Sequence, residues 1–458
     1  MAATVTPDPT APARKPGYRE LLRTPGAWTF LLPGFLARQP FAMLTLSIVL
    51  LVEHTTGSFG TAGTVSAATG VSMALFAPRS GRLADRFGQR AVLLPGVLLH
   101  AAAVGVLVLL ALADAPLWAL LSAAVPAGAS VPQVGPMVRA RWAHLLRDGA
   151  PGPSGPSGPS DGPRASGAPE RARLLPTAAA FESVTDEFTF VIGPVLATAL
   201  CTTVHPAAGL IAEATLTVTG GLVFAAQRRT APPAHRRGRK HGVRHASALS
   251  VPGVRVLAVA FLGIGAVFGG MQVSLAAFTD HIGQPGINGL LYGVFAGGNM
   301  LAGVVYGTLA WRSAPHRRLL TAYATLTLTT TPLWAVDSVP LLAVLGLLAG
   351  LGIAPSLITG FTLVERLVPQ TARTEAFTWL TGAVALGQAG AATAAGQLTD
   401  DFGASAGFTV PLVATALALV TVTLLRGWLK PGPEAPRKED GGEPGRRGEG
   451  HRATFPVD

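Results

Sequence analysis

Three carboxylates, Glu182, Asp186 and Glu187, fall inside one apolar run at residues 174–202, and an arginine, Arg38, falls inside another at residues 27–52. A charge held in hydrocarbon is costly, so each is a functional hypothesis by default. Glu182 and Asp186 are spaced i,i+4 and share one face of a helix, whereas Glu187 points about 100° away from Asp186. Two close carboxylates repel and burial disfavours charge, so at least one is expected to carry a proton during turnover, which is the chemistry of proton coupling. The alternative is structural: Arg38 pairs permanently with one carboxylate and fixes the first run against the fifth. Arg38 stands between Pro33 and Pro40, and Pro40, lacking an N–H, frees the carbonyl of Leu36 and can bend the helix there.

Other polar groups inside apolar runs are few. Glu213 is expected either to turn inward or to reach for a membrane surface. His100 either relays protons or packs as a hydrogen-bonded histidine. The amides Gln133, Gln272, Asn299 and Gln388 are candidates for a substrate cavity, with helix bridging as the alternative, which also holds for Gln397. Gly289, Gly293 and Gly297 make a small-residue face expected to permit close helix approach. Cys201 is the sole cysteine, so no intrachain disulfide can form, and it reads as inert packing.

The elements that must position these groups follow from composition. The chain has 458 residues, 49% hydrophobic and 13% charged, against about 25% charged in soluble domains. Its mean hydropathy is +0.44. Twelve spanning segments are expected, at 27–52, 59–78, 91–113, 116–138, 174–202, 206–226, 253–278, 286–310, 319–335, 338–364, 375–398 and 406–428. The runs are continuous rather than alternating, so they are helices and not barrel strands. The segments after the even helices contain Arg79, Arg82, Arg139, Arg147, Arg228, Arg239, Lys240, Arg317 and Arg373, whereas those after the odd helices contain no lysine or arginine and carry Glu53, Asp114, Asp280, Asp337, Asp400 and Asp401. That asymmetry places both termini in the cytoplasm. The formal charge of +11 lies in loops and tails, which argues against nucleic acid as a partner. No cleavable signal peptide is evident.

Between the second and third runs lies Gly81-Arg82-Leu83-Ala84-Asp85-Arg86-Phe87-Gly88-Gln89-Arg90, expected to be a loop at a membrane surface. Through Gly81, Leu83, Asp85, Arg86, Gly88 and Arg90 it resembles the cytoplasmic loop between helices 2 and 3 of the major facilitator superfamily of secondary transporters, with Gln89 in place of the usual basic residue. The resemblance implies an all-α membrane protein of 12 transmembrane helices in two six-helix halves that rock about a site near the midplane. It implies a cavity lined by helices 1, 4, 5, 7, 8, 10 and 11, where Arg38 could meet the acidic cluster. It also implies that Asp85 holds the halves together on the cytoplasmic side through charge and a helix N-terminus, that of helix 11. Gly193-Pro194 resembles the centre of a motif of the superfamily's drug antiporters, with Ala197 and Thr198 where that motif has glycines. Helix 4 lacks that branch's arginine, since Ala124 stands four residues before Gly128. In the second half, Gly307–Arg312 is a weak echo of the Gly81–Arg86 pattern.

The chain thus divides into a cytoplasmic tail (1–26), a six-helix half (27–226) with a disordered loop at 148–172, a basic linker (227–252), a second half (253–428) and a disordered tail (429–458). The function expected is proton-coupled efflux of small amphipathic molecules, drugs or metabolites; the alternative is uptake or facilitated diffusion of a small metabolite such as a sugar or organic acid. No phosphate loop surrounds any of the four lysines, which excludes an ATP-driven pump. No nucleophile–base or metal-ligand constellation stands out, so neither enzyme, metal nor cofactor is expected beyond the proton gradient. The expected partners are a small-molecule substrate, protons and the lipid bilayer of the plasma membrane, with the protein acting as a monomer. Asp85→Asn should abolish or greatly slow transport while leaving membrane insertion intact; normal transport by a well-expressed mutant would remove Asp85 from gating.

Overall fold

The computed structural model describes residues 17–147, 173–233, 248–309, 313–369 and 373–429. The loop at 148–172, most of the basic linker, the tail beyond 429 and the end of the Gly307–Arg312 echo lie outside the described residues. Within them no strand occurs, as hydrocarbon demands of a chain whose backbone must pair within each segment. The N-terminal half comprises α1 (Ala27–Leu36, continued by Gln39–Thr56), α2 (Phe59–Phe87), α3 (Gln89–Leu112), α4 (Leu117–Ala129, continued by Val134–Arg147), α5 (Leu175–Thr203) and α6 (Ala208–Ala226). The C-terminal half comprises α7 (Pro252–His281), α8 (Asn288–Thr308), α9 (Pro315–Thr330), α10 (Val339–Leu367), α11 (Arg373–Phe402) and α12 (Thr409–Leu424).

Two helices outrun their expected ends. α2 continues to Phe87, so most of the decapeptide after the second run is helix rather than loop. The reversal into α3 falls on Gly88 alone, whose φ of 88° is open to glycine and strained for other residues. α4 likewise resumes after a break at Ser130–Gln133, where Pro132 interrupts the ladder, and runs to Arg147. Leaving hydrocarbon ends the apolar run but not the hydrogen-bond ladder.

Among the described residues, ten helices are long and apolar enough to cross a membrane by themselves. The remaining two are α9, of 16 residues, and α11, of 30 residues rich in glycine, alanine and threonine. The small residues of α11 allow close packing on α7. A Cβ on Gly265 or Gly269 of α7 would strike the carbonyls of Val384 or Gln388 of α11. The core of the second half gathers Phe261, Phe295, Tyr323, Ile353 and Phe408, while the first half buries Leu44, Val104 and Leu120 in one cluster and Phe30, Val138 and Trp142 in another.

The halves touch near the ends of the helices that carry the acidic segments. A Cβ on Gly63 of α2 would meet the carbonyl of Ala392 of α11, and one on Gly396 would meet that of Phe59. On the other flank, Gly289 of α8 lies against the carbonyl of Pro194 and the side chain of Thr198 in α5. Of the expected small-residue face, Gly289 and Gly293 make such contacts, whereas Gly297 does not. Toward the opposite ends, Gly81 of α2 and Gly382 of α11 have nothing within 4 Å of where a Cβ would stand. The helices are therefore in close contact at the acidic face.

Within the first half, a Cβ on Gly128 of α4 would strike the carbonyl of Thr69 and the hydroxyl of Ser72 in α2. Gly128→Leu should cost roughly 1–3 kcal/mol through overpacking, whereas Gly105→Leu, on an open surface, should be neutral. A thiol-reactive fluorogenic dye, reporting exposure of the buried Cys201 on heating, measures both.

Candidate functional site

Arg38 occupies the break in α1 that Pro40 imposes, between Leu36 and Gln39. The bend aims its guanidinium at α5. There Nη1 donates to Asp186 Oδ1 at 3.0 Å and Nη2 donates to Glu182 Oε2. Arg139, from the second segment of α4, donates to Asp186 Oδ2, and the indole N–H of Trp142 donates to Glu182 Oε1 at 2.8 Å. Arg38 and Glu182 are buried, at 6% and 1% exposure, whereas Asp186 and Arg139 keep 31% and 48%. Gly135 of α4 lies beside Arg38 Nε and Asp186 Oδ1, which are 3.8 and 3.9 Å from where a Cβ would stand. Two guanidiniums thus face two carboxylates, and their formal charges cancel. This is the pairing that the structural alternative described, with Arg139 as a second cation.

Glu187 is different. It faces away from this lattice, and among the described residues no cation forms an ion pair with it. Its partner is Asn299 of α8, in the other half, whose amide N–H donates to Oε2 at 3.2 Å. The carbonyl oxygen of Asn299 is buried without a donor.

A second polar locus lies between the halves. Gln272 of α7 donates to the hydroxyl of Thr45 in α1 at 3.0 Å. These two, with Ser66, Gly70, Met73 and Gln388, line a chamber of about 40 Å³. Pockets for drug-sized ligands measure about 300–1,000 Å³, so the chamber is too small to hold one. Gln272 and Gln388 are brought together as cavity candidates, and Asn299 meets Glu187, but Gln133 stands apart. It sits in the α4 break, donates to the carbonyl of Val131, and lines a separate cavity of about 600 Å³ with Phe76, Arg79, Leu83, Leu99 and Met137.

His100 and Glu213 form a third, fully buried pair that joins α3 to α6. One ring nitrogen of His100 lies 2.8 Å from the carbonyl of Ala127, which can only accept, and the other lies 2.8 Å from Glu213, which also accepts from Thr217. Glu213 therefore turns inward, and His100 is a bridging histidine. Arg141, also buried, donates to Gln89 and to the carbonyls of Phe224 and Gln227, and stacks on the Phe224 ring.

Arg139, Trp142 and Arg141 were not among the expected site residues. The spacing carries a trace of them: Arg139 and Trp142 are i,i+3, matching Glu182 and Asp186 at i,i+4 across a pair of helices.

Of the loop residues, Arg82 donates to the carbonyl of Pro78 and Arg86 lies over the ring of Phe87. Both therefore make contacts local to α2.

A family model described as the Major Facilitator Superfamily matches residues 3–152 and 283–456. No curated protein matches the chain. The fold is similar to that of the nucleoside transporter NupG, at 12% identity and a TM-score of 0.66 over 88% of this chain and 99% of that one. It is similar to a bacterial homologue of the iron transporter ferroportin in an inward-facing state, at 20% identity and 0.60 over 90% and 99%. It is also similar to the human organic anion transporter MFSD10 (TETRAN), at 16% identity and 0.56 over 86% and 98%. At such identities the likeness is one of fold.

The lattice around Arg38 makes a stability prediction. Arg38→Met strands Glu182 in the interior and should cost about 3–5 kcal/mol. Arg38→Met combined with Glu182→Leu should recover much of that loss in a thermal unfolding assay, because the stranded charge is gone.

Proposed function

The chain belongs to the Major Facilitator Superfamily of transporters, and from that premise we propose that it exports small amphipathic molecules in exchange for protons, with Glu187 as the proton carrier. One observation carries this choice: Glu187 is the α5 carboxylate that has no cation, and it faces an amide from the opposite half. Ionised, it places an unbalanced charge at the seam between the halves; protonated, it is neutral and can donate to the free carbonyl oxygen of Asn299. The two protonation states therefore favour different separations of α5 and α8, and a proton biases one orientation over the other. Each pH unit across the membrane then supplies about 1.4 kcal/mol per proton, a tenfold substrate ratio.

In this mechanism the Arg38–Arg139–Glu182–Asp186 lattice is an anchor that holds α1, α4 and α5 as one body. Substrate meets the chamber of Thr45, Gln272 and Gln388 when the halves rock apart on either side of it. The arginine-rich face is cytoplasmic, by the distribution of positive charge, and the membrane is the plasma membrane. The protein works as a monomer, since one chain supplies both halves.

The test uses purified protein in liposomes carrying an internal pH dye, with lipophilic cations, common antibiotics and simple metabolites as the panel. A substrate-driven pH change is expected, lost in Glu187→Gln and restored by Glu187→Asp. Flux with no pH change, indifferent to Glu187→Gln, would instead make the protein a facilitator.

A further inference from the structure

The N-terminus of α2 and the C-terminal end of α11 meet at the acidic face. Asp400, in the last turn of α11, accepts three hydrogen bonds from the start of α2: the Phe59 N–H at 2.9 Å, the Gly60 N–H at 2.8 Å and the Ser58 hydroxyl at 2.7 Å. The first amides of a helix have no partner within it, and the helix dipole concentrates positive charge there. Ser58 itself accepts the N–H of Thr61 at 3.0 Å. The cap of α2 is thus divided between its own serine and a carboxylate from the other half of the molecule.

The fit around this contact is close. A Cβ on Gly60 would stand 3.0 Å from Asp400 Oδ2 and 3.3 Å from the side chain of Gln397. The surroundings are acidic: Asp280 of α7 and Asp400 both act electrostatically on Glu53 of α1, and Asp401 follows in sequence. The segments joining helices on this face contain no lysine or arginine. The amides of α2 therefore supply the positive pole that Asp400 uses.

We propose that Asp400 is a latch for the acidic face: its bonds to the start of α2 hold the two halves closed there, and their rupture is a required step in opening that side. Asp400 touches no candidate substrate group, so it is a positioning residue. It acts through the equilibrium between the two orientations. Asp400→Asn keeps an acceptor oxygen but loses the charge, and Asp400→Ala loses both. Ser58→Ala removes one of the three donors and leaves the two backbone bonds.

The experiment measures distances between spin labels on cysteines replacing His54 and Ser338, both exposed on the acidic face, in the full chain with Cys201→Ser. Neither substrate nor a proton gradient is present, so the outcome is independent of proton coupling. A short distance should dominate with Asp400 intact. In Asp400→Ala the ratio of closed to open populations should fall about tenfold or more, as expected for losing charge-assisted bonds, with Asp400→Asn and Ser58→Ala intermediate. A residue that only stabilises the fold would lower the melting temperature without changing the distances. If Asp400→Ala fails to fold, the other two variants decide. An unchanged ratio in the folded variants overturns the proposal.

Discussion

A guanidinium carried into the membrane must be neutralised where it stands, and much of the first half is arranged around meeting that demand for Arg38. Pro40 breaks α1 so that Arg38 leaves the helix axis. Pro132 breaks α4 so that its second segment brings Arg139 and Trp142 to α5. The carboxylates answer with complementary geometry: each of the four oxygens of Glu182 and Asp186 accepts one donor. A buried lattice of this kind adds little stability over an apolar isostere, but removing one member is costly. It ties α1, α4 and α5 together.

The same constraint sorts the ionisable groups by what they can do. Paired groups are held in place: the Arg38 lattice and the His100–Glu213 bridge each lock helices within one half, and Arg141 does the same through neutral acceptors alone. Glu187 is left unbalanced, and its one side-chain contact is across the seam.

Much of the architecture was legible from hydropathy and from the segregation of arginine, because twelve apolar blocks have few ways to satisfy a bilayer. The pairing of Arg38 with Glu182 and Asp186 was also legible, since an intramembrane cation and two acids on one helix face demand each other. Arg139 and Trp142 were not, because hydropathy ends a helix where charge begins while the hydrogen-bond ladder of α4 runs on to Arg147. The separation of Gln133 from the other amides was hidden for a related reason: a sequence shows that Pro132 interrupts a helix but not where the interrupted side chains then point. The partner of Asp400 was equally hidden, because backbone amides leave no mark in a residue pattern.

Antiparallel packing of α2 against α11 puts a helix amino end at each side of the membrane along a single seam. With Asp400 seated at one of these poles, the seam resembles a rocker switch whose contacts sit at its two extremities. The resting position of such a switch is set by the difference between its end contacts, and its speed by the stronger of them. Evolution could therefore retune how fast the protein turns over by editing a capping residue far from anything the cargo touches, leaving recognition unaltered.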